Sequence, residues 1–208
     1  MVLVAILAAG ESKRMGRPKL CLPWLDTTIL GHVIRQWRQA GAKHLLVVHA
    51  PGAETPVVKE LNRLGLPAHE RVATVAPERG MMGSVVTAAR LTVKMPALAH
   101  LIIALGDQPQ VRVETLQMLL AACVTRKNSV LRVSCQGRPG HPLALPAACL
   151  ADLSATSIAT LRDFLGLLPM PPEDLASPDS GILLDIDTPD EYDKASQLEK
   201  CLFNRSLL

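Results

Sequence analysis

Residues 2–19 read VLVAILAAGESKRMGRPK and combine an apolar run with a cationic turn. The apolar run Val2–Leu7 predicts a strand that is buried on both faces, as in parallel sheets. The chain then turns at small residues, and three cations, Lys13, Arg14 and Arg17, precede Lys19. Small side chains let backbone N–H groups approach an anion closely, and nearby cations neutralise its charge. The stretch therefore predicts a nucleoside triphosphate site, with a solvated basic loop as the alternative.

This loop differs from the two common phosphate-binding loops. A Walker loop has four residues between its glycines and then Lys-Ser/Thr. Here five residues separate Gly10 from Gly16, and Arg17 follows. The dinucleotide fingerprint G-x-G-x-x-G is also missing, because Ala8 stands where its first glycine would be. The sequence thus indicates a phosphate loop of a third type.

Composition limits the classes of function that remain. The chain has 208 residues, of which 49% are apolar and only 2% aromatic, and its net charge is +3. Few aromatic side chains argue against a base-stacking surface, and the small net charge does not indicate nucleic-acid binding. Five scattered cysteines without a C-x-x-C pair favour free thiols over disulfides or a zinc site. The first apolar run lacks a basic leader, and no run approaches the roughly 20 residues of a membrane span, so we expect a soluble cytoplasmic protein.

Strand-like apolar runs alternate with segments of helical period. The predicted strands are Val2–Leu7, Leu45–His49, Val72–Ala76, Leu101–Leu105, Val130–Val133, Pro142–Leu145 and Ile182–Ile186. The predicted helices are Thr28–Ala40, Glu54–Leu64, Ser84–Val93, Glu114–Thr125, Ala147–Leu153, Ile158–Leu165 and Pro189–Leu202. We predict that Pro169–Gly181, which contains four prolines, is an irregular connection. The alternation predicts an α/β three-layer sandwich around a Rossmann-like, doubly wound, mostly parallel sheet in one domain.

The chemistry is expected beyond the carboxyl ends of the parallel strands. Asp107 follows the clearest buried strand and is predicted to face the same crevice as Lys19. A carboxylate opposite a cationic phosphate loop fits a bridging magnesium ion. Asp185 and Asp187 are two residues apart, so on a strand both would point to one face, and either could be the second ligand. Each aspartate also has an explanation without a metal. Asp107 could be a turn residue, and Asp187 could be an acid that is stabilised by the dipole at the amino end of the last helix.

Two further segments carry candidate site residues. Gly80–Ser84 precedes a predicted helix, and its backbone donors and the Ser84 hydroxyl could hold a ribose or base, although helix capping is the simpler explanation. Gly137–Pro142 is predicted to form a rigid turn that carries His141, and a histidine beside proline is more often structural than catalytic. No Gly-x-Ser-x-Gly elbow or Cys–His arrangement indicates a nucleophilic site.

Together these segments resemble the MobA-like nucleotidyltransferases, whose fold is of the nucleotide-diphospho-sugar transferase type. The matching segments, in the family's order, are Leu7–Lys19, Leu22–Trp24, Gly80–Ser84, Gly106–Pro109, Gly140–Pro142 and Asp185–Pro189. The first matches the pattern L-A-A-G-x-S-x-R-M-G-x-x-K. Its Ala-Ala-Gly form resembles the members that transfer CMP from CTP, whereas guanylyl-transferring relatives usually carry Ala-Gly-Gly or Gly-Gly-Gly. The resemblance implies that residues 1–208 form a single nucleotidyltransferase domain.

The resemblance also implies roles for individual residues. Arg14, Lys19 and Asp107 would be catalytic, with Arg14 and Lys19 on the triphosphate and with Asp107 and Asp187 binding Mg²⁺ or Mn²⁺. The remaining nucleotide contacts would come from the phosphate loop and the segment before the third helix, namely Leu7, Ala8, Ala9, Gly10, Pro77, Gly83 and Ser84. His141 and Arg162 would contact the acceptor, and Arg162 stands in for the arginine of a Gly-Asp-x-Gly-Ala-Arg element that this chain lacks.

The activity implied by the resemblance is transfer of CMP from CTP to the terminal phosphate of molybdopterin, with release of pyrophosphate. A molybdenum hydroxylase or its chaperone is the candidate recipient of the product. Three alternatives remain open. The chain could transfer CMP to methylerythritol phosphate or a sugar phosphate, or be an NADPH-dependent oxidoreductase of the same superfamily, which the missing G-x-G-x-x-G disfavours. The third is a module that carries the cofactor without catalysis.

Overall fold

The computed structural model describes the backbone of residues 1–205 and the side chains of residues 1–199. Its strands are β1 Val2–Ala8, β2 Pro23–Trp24, β3 Thr27–Thr28, β4 His44–His49, β5 Arg71–Ala73, β6 His100–Leu105, β7 Leu131–Cys135, β8 Arg138–Pro146 and β9 Glu173–Ala176. Its α-helices are α1 Ile29–Gln39, α2 Pro56–Arg63, α3 Gly80–Thr92, α4 Val113–Thr125, α5 Leu150–Ala155, α6 Leu161–Gly166 and α7 Pro189–Arg205.

Seven strands form the central sheet in the order β5-β4-β1-β6-β8-β7-β9. Strands β1, β4, β5 and β6 pair in parallel, as do β7 and β9, whereas β8 runs antiparallel to both β6 and β7. The predicted mostly parallel, doubly wound sheet is therefore confirmed. Because β8 is reversed, its first residues lie at the same edge of the sheet as the carboxyl ends of β1 and β6.

Each face of the sheet is covered by helices. Successive side chains of β1 point to opposite faces and are therefore buried in two separate cores. Val4 and Ile6 belong to the core under α1 and α4. Leu3, Ala5 and Leu7 belong to the core under α3, α5 and α6. Both layers consist mainly of aliphatic side chains, as the low aromatic content predicts. Ligands of such sheets bind beyond the carboxyl ends of the strands.

Several element boundaries differ from the sequence predictions. Helix α3 begins at Gly80 rather than Ser84, and α6 begins at Leu161 because the Thr160 hydroxyl caps it by accepting from Asp163 N–H. The short β2–β3 hairpin was not predicted. The connection Pro169–Gly181 is not wholly irregular, since β9 lies within it.

The predicted last strand, Ile182–Ile186, is wrong. Ser180–Leu183 form a 3-10 helix instead, because the Asp179 carboxylate accepts a hydrogen bond from Gly181 N–H and turns the chain. Residues 184–187 then run without regular structure toward α7. Asp185 and Asp187 therefore do not lie on one face of a strand, contrary to the prediction.

Two predictions from composition can be compared with the described residues. Cys21, Cys123, Cys135 and Cys149 are free thiols, as predicted, while the side chain of Cys201 lies outside the described residues. Among the helices that the structure describes, none is long and apolar enough to cross a membrane.

Candidate active site

The loops after β1 and β6 start side by side at the carboxyl edge of the sheet. Gly106 N–H donates to the Leu7 carbonyl oxygen at 3.0 Å. A Cβ atom at position 106 would lie only 2.8 Å from that oxygen, so the close approach requires glycine. This contact places Asp107 directly beside the phosphate loop.

Three predicted site residues meet in one ion-pair cluster. Lys19 Nζ donates to Asp107 Oδ2 at 2.7 Å and to Asp187 Oδ1 at 2.9 Å. Arg14 Nη2 donates to the other oxygen of Asp187, Oδ2, at 2.6 Å. Lys19 is 8% exposed, whereas the Arg14 side chain is 71% exposed. Residues that are up to 173 positions apart in the sequence therefore form one centre, which we call the Lys19 cluster (Arg14, Lys19, Asp107 and Asp187).

The charges of this cluster stabilise one another. Burial acts to lower the pKa of Lys19, but the Asp107 and Asp187 carboxylates outweigh it and hold the pKa above its ordinary value of 10.5. Burial acts to raise the pKa of Asp187, yet its bonds and proximity to Lys19 and Arg14 hold it below the ordinary 3.8. Both groups are therefore charged at neutral pH.

Asp187 is held in place by a strap, residues 179–187, that crosses the loop after β6. Gln108 Nε2 donates to the Leu184 carbonyl and to Asp185 Oδ1, each at 3.3 Å, and Gln110 Nε2 donates to the Leu184 carbonyl at 2.7 Å. The buried Asp179 accepts from Arg112 N–H at 2.8 Å. These bonds fix the strap against the same loop that carries Asp107.

A first cavity of about 430 Å³ lies between the phosphate loop and the connection from β4 to α2. Ala8, Ala9 and Gly10 line it, as do Lys13 and Thr55 from opposite walls. Small residues expose the backbone there, which is the arrangement that the sequence predicted for a nucleotide-binding surface.

A second cavity of about 850 Å³ lies by the first residues of β8. Both residues that the resemblance assigned to the acceptor, His141 and Arg162, line it. Met81 from α3 and Leu161 from α6 contribute apolar walls, and Arg132 from β7 is held by Asp174 at 2.8 Å. The cavity thus combines apolar surface with cationic groups.

His141 lies toward the Lys19 cluster from this second cavity. Its Nε2 atom is buried and has no hydrogen-bond partner within the described structure. Burial lowers the pKa of His141, so the ring is neutral at pH 7, although Asp185 and Asp107 act in the opposite direction. Burial and the charge of Asp107 raise the pKa of Asp185, which is not joined to Lys19. Of the two candidate acids, Asp187 is therefore the one that faces Asp107 across Lys19.

Pro77 and the first turns of α3 do not line the first cavity. Ser84 is 2% exposed within the first turns of α3, Gly83 is buried beside it, and Pro77 is exposed. None of the three lines that cavity. Their assignment to the nucleotide stays a prediction.

Asp107 and Asp187 have the chemistry of a divalent-metal site. Their oxygens converge on one cation, the Lys19 ammonium, and hard carboxylate oxygens suit Mg²⁺ or Mn²⁺. Among the side chains that the structure describes, no group of three or more His, Cys, Asp or Glu residues is arranged to hold a metal ion. The pair therefore fits an ion that takes its other ligands from phosphate oxygens and water.

Sequence reasoning missed the residues that orient the cluster. Gln108 and Gln110 lie one and three residues after Asp107, but no sequence pattern indicates that their amides bind residues 184 and 185. Asp179 could have been found from Asp179-Ser180-Gly181, a sequence typical of an Asx turn. Tyr192 lies under Arg17, whose guanidinium carbon is 5.7 Å from the ring centre, and donates to the Pro23 carbonyl at 2.6 Å.

Two curated proteins illustrate what this chain is similar to. Molybdenum cofactor cytidylyltransferase of Escherichia coli K12 is 26% identical over 198 residues, covering 92% of this chain and 94% of that protein. Bifunctional protein GlmU of Azorhizobium caulinodans is 37% identical over 122 residues, but these cover 58% of this chain and 26% of that protein.

Solved structures share the fold. Rv0371c of Mycobacterium tuberculosis H37Rv has a TM-score of 0.75 and 25% identity, and the match covers 95% of this chain and 98% of that one. Its complex with manganese has a TM-score of 0.69 and 24% identity, covering 94% and 98%. The family model described as a MobA-like NTP transferase domain matches residues 4–170. Since that match spans most of its length, the chain belongs to the MobA-like NTP transferase family of nucleotidyltransferases.

Proposed function

We propose that this nucleotidyltransferase transfers CMP from CTP to the terminal phosphate of molybdopterin. The observation that carries the proposal is the meeting of Lys19, Asp107 and Asp187 beside the cavity formed by Ala8–Gly10. The choice of CTP and of a molybdopterin acceptor is supported by the name of the 26% identical relative, which aligns over 92% of this chain.

The reaction requires one bond to form and one to break at the α-phosphorus of CTP. An oxygen of the acceptor phosphate attacks that phosphorus, the bond to the bridging oxygen of the β-phosphate breaks, and pyrophosphate leaves with the electron pair. The acceptor phosphate is already an anion at neutral pH, so no residue has to remove a proton. The main obstacle is repulsion between two anions, which Lys19 and Arg14 would lower by neutralising the phosphates.

Asp107 and Asp187 would hold a divalent cation when the nucleotide is bound. Such an ion neutralises phosphate charge and stabilises the leaving pyrophosphate. The manganese complex of the structurally similar Rv0371c supports this assignment, and both Mg²⁺ and Mn²⁺ accept carboxylate oxygens.

The second cavity would receive the acceptor. Its volume of about 850 Å³ lies in the range of pockets that bind small molecules. Arg162 is exposed at its rim, where a guanidinium can bind a phosphate in a bidentate manner. His141, whose Nε2 has no partner within the described structure, lines the same cavity and would donate to the acceptor.

The test is incubation of the purified protein with labelled CTP, Mg²⁺ and a panel of acceptors. The panel is molybdopterin, methylerythritol phosphate and a sugar phosphate, and both pyrophosphate and the cytidine-containing product are followed. We expect equal amounts of pyrophosphate and molybdopterin cytosine dinucleotide. Transfer of CMP to another acceptor would contradict the proposed acceptor but would still show cytidylyltransferase activity. Molybdopterin binding without pyrophosphate release would contradict catalysis.

A further inference from the structure

Both cations that we assign to the nucleotide's phosphates are held by aspartates in this structure. Lys19 spans Asp107 and Asp187, and Arg14 takes the remaining oxygen of Asp187. Both oxygens of Asp187 therefore have cationic partners before any nucleotide arrives. The two positive and two negative charges of the Lys19 cluster cancel.

The ammonium lies where it offsets repulsion between two carboxylates. The Asp107 and Asp187 side chains are each 24% exposed, and the Lys19 side chain between them is only 10% exposed, so solvent screens this repulsion incompletely. A divalent cation bound to the same pair would face the Lys19 ammonium at contact distance. Two cations that share these oxygens repel each other, so the ion and Lys19 compete for one position.

We propose that Lys19 is a built-in substitute for the divalent cation and exchanges with it when the nucleotide binds. This inference rests on the proposed function, since it concerns the metal and triphosphate of that reaction. The nucleotide supplies new oxygen partners, so Lys19 and Arg14 pass from the carboxylates to the phosphates as the ion takes their place. Free metal alone offers the displaced ammonium no new partner.

The exchange makes metal binding depend on the nucleotide. The free protein is expected to bind free Mn²⁺ weakly, and the complex of metal and CTP to bind well. The carboxylates also remain paired between turnovers, which keeps the site in its working arrangement without a bound ion.

The test measures free Mn²⁺ binding in the absence of nucleotide, by electron paramagnetic resonance or calorimetry. Lys19→Met keeps the aliphatic stem and removes the ammonium, so we expect Mn²⁺ to bind at least tenfold more tightly than to the wild type. Lys13→Met is the matched control, because Lys13 lies in the same loop but pairs with Glu11 at 2.7 Å rather than with either aspartate. Its Mn²⁺ affinity should change less than threefold.

Unchanged or weaker Mn²⁺ binding by a folded Lys19→Met protein would overturn the exchange, as would an equal gain in Lys13→Met. If Lys19→Met folds but is too unstable for direct binding measurements, its unfolding temperature is followed during a Mn²⁺ titration. A larger rise than in the wild type supports the exchange, and an equal or smaller rise contradicts it.

Transfer of CMP by the wild-type protein is measured in parallel. If the wild type transfers CMP but Lys19→Met binds Mn²⁺ no more tightly, only the exchange is disproved. An inactive wild type disproves the proposed function whatever the metal titrations show.

Discussion

Lys19 is the residue on which the site depends. It lies in a loop at one end of the sequence, and its partners Asp107 and Asp187 come 88 and 168 positions later. Removing one partner of such a poorly solvated group leaves the others with unbalanced charge, which costs more than an exposed ion pair contributes. Protonation of an aspartate removes such a partner, so the free energy of unfolding depends on pH through this cluster.

We expect Asp187→Asn to lower the free energy of unfolding by about 1–3 kcal/mol at neutral pH, because it removes charged hydrogen bonds to Lys19 and Arg14. The folded pKa of Asp187 is depressed, so its contribution is present above the ordinary value of 3.8 and is lost as pH falls. Urea unfolding should show the gap between wild type and variant narrowing from about pH 5 downward. If the difference in the free energy of unfolding between wild type and variant stays constant with pH, the ion pair of Asp187 is not its cause.

At the scale of elements, the strap of residues 179–187 orients Asp187. The Asp179 carboxylate is 2% exposed and accepts from Arg112 N–H and the Thr115 hydroxyl, so it caps the amino terminus of α4 from a distant segment. Gly181 lies so near the Gln110 carbonyl that a Cβ there would be 2.6 Å from the oxygen. The strap and the loop after β6 thus pack as one unit.

Asp179→Ala should therefore weaken both the fold and the site. We expect a loss of about 1–3 kcal/mol, since buried donors lose their acceptor, together with a higher Mg²⁺ concentration for half-maximal CMP transfer. Urea unfolding and Mg²⁺ titration of activity measure the two effects. Thr28→Ala, which removes the cap of α1, should lower stability without changing the Mg²⁺ requirement. An unchanged Mg²⁺ requirement in Asp179→Ala would mean that the strap is only structural.

The sequence predicted the elements that local pattern determines. The unbroken apolar runs of β1 and β6 could be placed within one residue of their observed ends. β9, which reads Glu-Asp-Leu-Ala, could not, because an edge strand with one buried side chain has no apolar pattern. Ile182–Ile186 is apolar enough for a strand, but the tertiary bonds of Asp179, Gln108 and Gln110 hold it in another conformation.

For the same reason, the sequence predicted which residues of the cluster meet but not the contacts that depend on tertiary packing. Strand ends and resemblance were enough to propose that Lys19, Asp107 and Asp187 meet, and the structure brings them together. The direct Lys19–aspartate bonds could not be foreseen, because they depend on how two loops and the strap pack. The place of His141 at this edge of the sheet likewise follows from the reversed β8, which local pattern does not reveal.

At the scale of the whole molecule, sheet order separates the two proposed substrates. β1 and β6, which lead into Lys19 and Asp107, lie between β4 beside the first cavity and β8 beside the second. A nucleotide in the first cavity and an acceptor in the second would meet at the Lys19 cluster. This arrangement requires no movement of whole layers to bring the reacting phosphates together.

The first cavity should favour CTP over purine nucleotides if the assignment is right. Ligands that bind the folded state raise the unfolding temperature according to their affinity. We therefore expect CTP with Mg²⁺ to raise it more than GTP or ATP at the same concentration. Thermal unfolding with each nucleotide measures this, and equal shifts for all three would contradict the choice of CTP.

Asp107→Asn is the sharpest test of whether the Lys19 cluster is the centre of the CMP transfer that we propose. The measurement is Mg²⁺-dependent pyrophosphate release from CTP and molybdopterin, with thermal unfolding to confirm the fold and with the exposed Asp152→Asn as control. We expect kcat to fall roughly 100-fold or more in Asp107→Asn and to stay unchanged in Asp152→Asn. Full activity in a folded Asp107→Asn protein would contradict it.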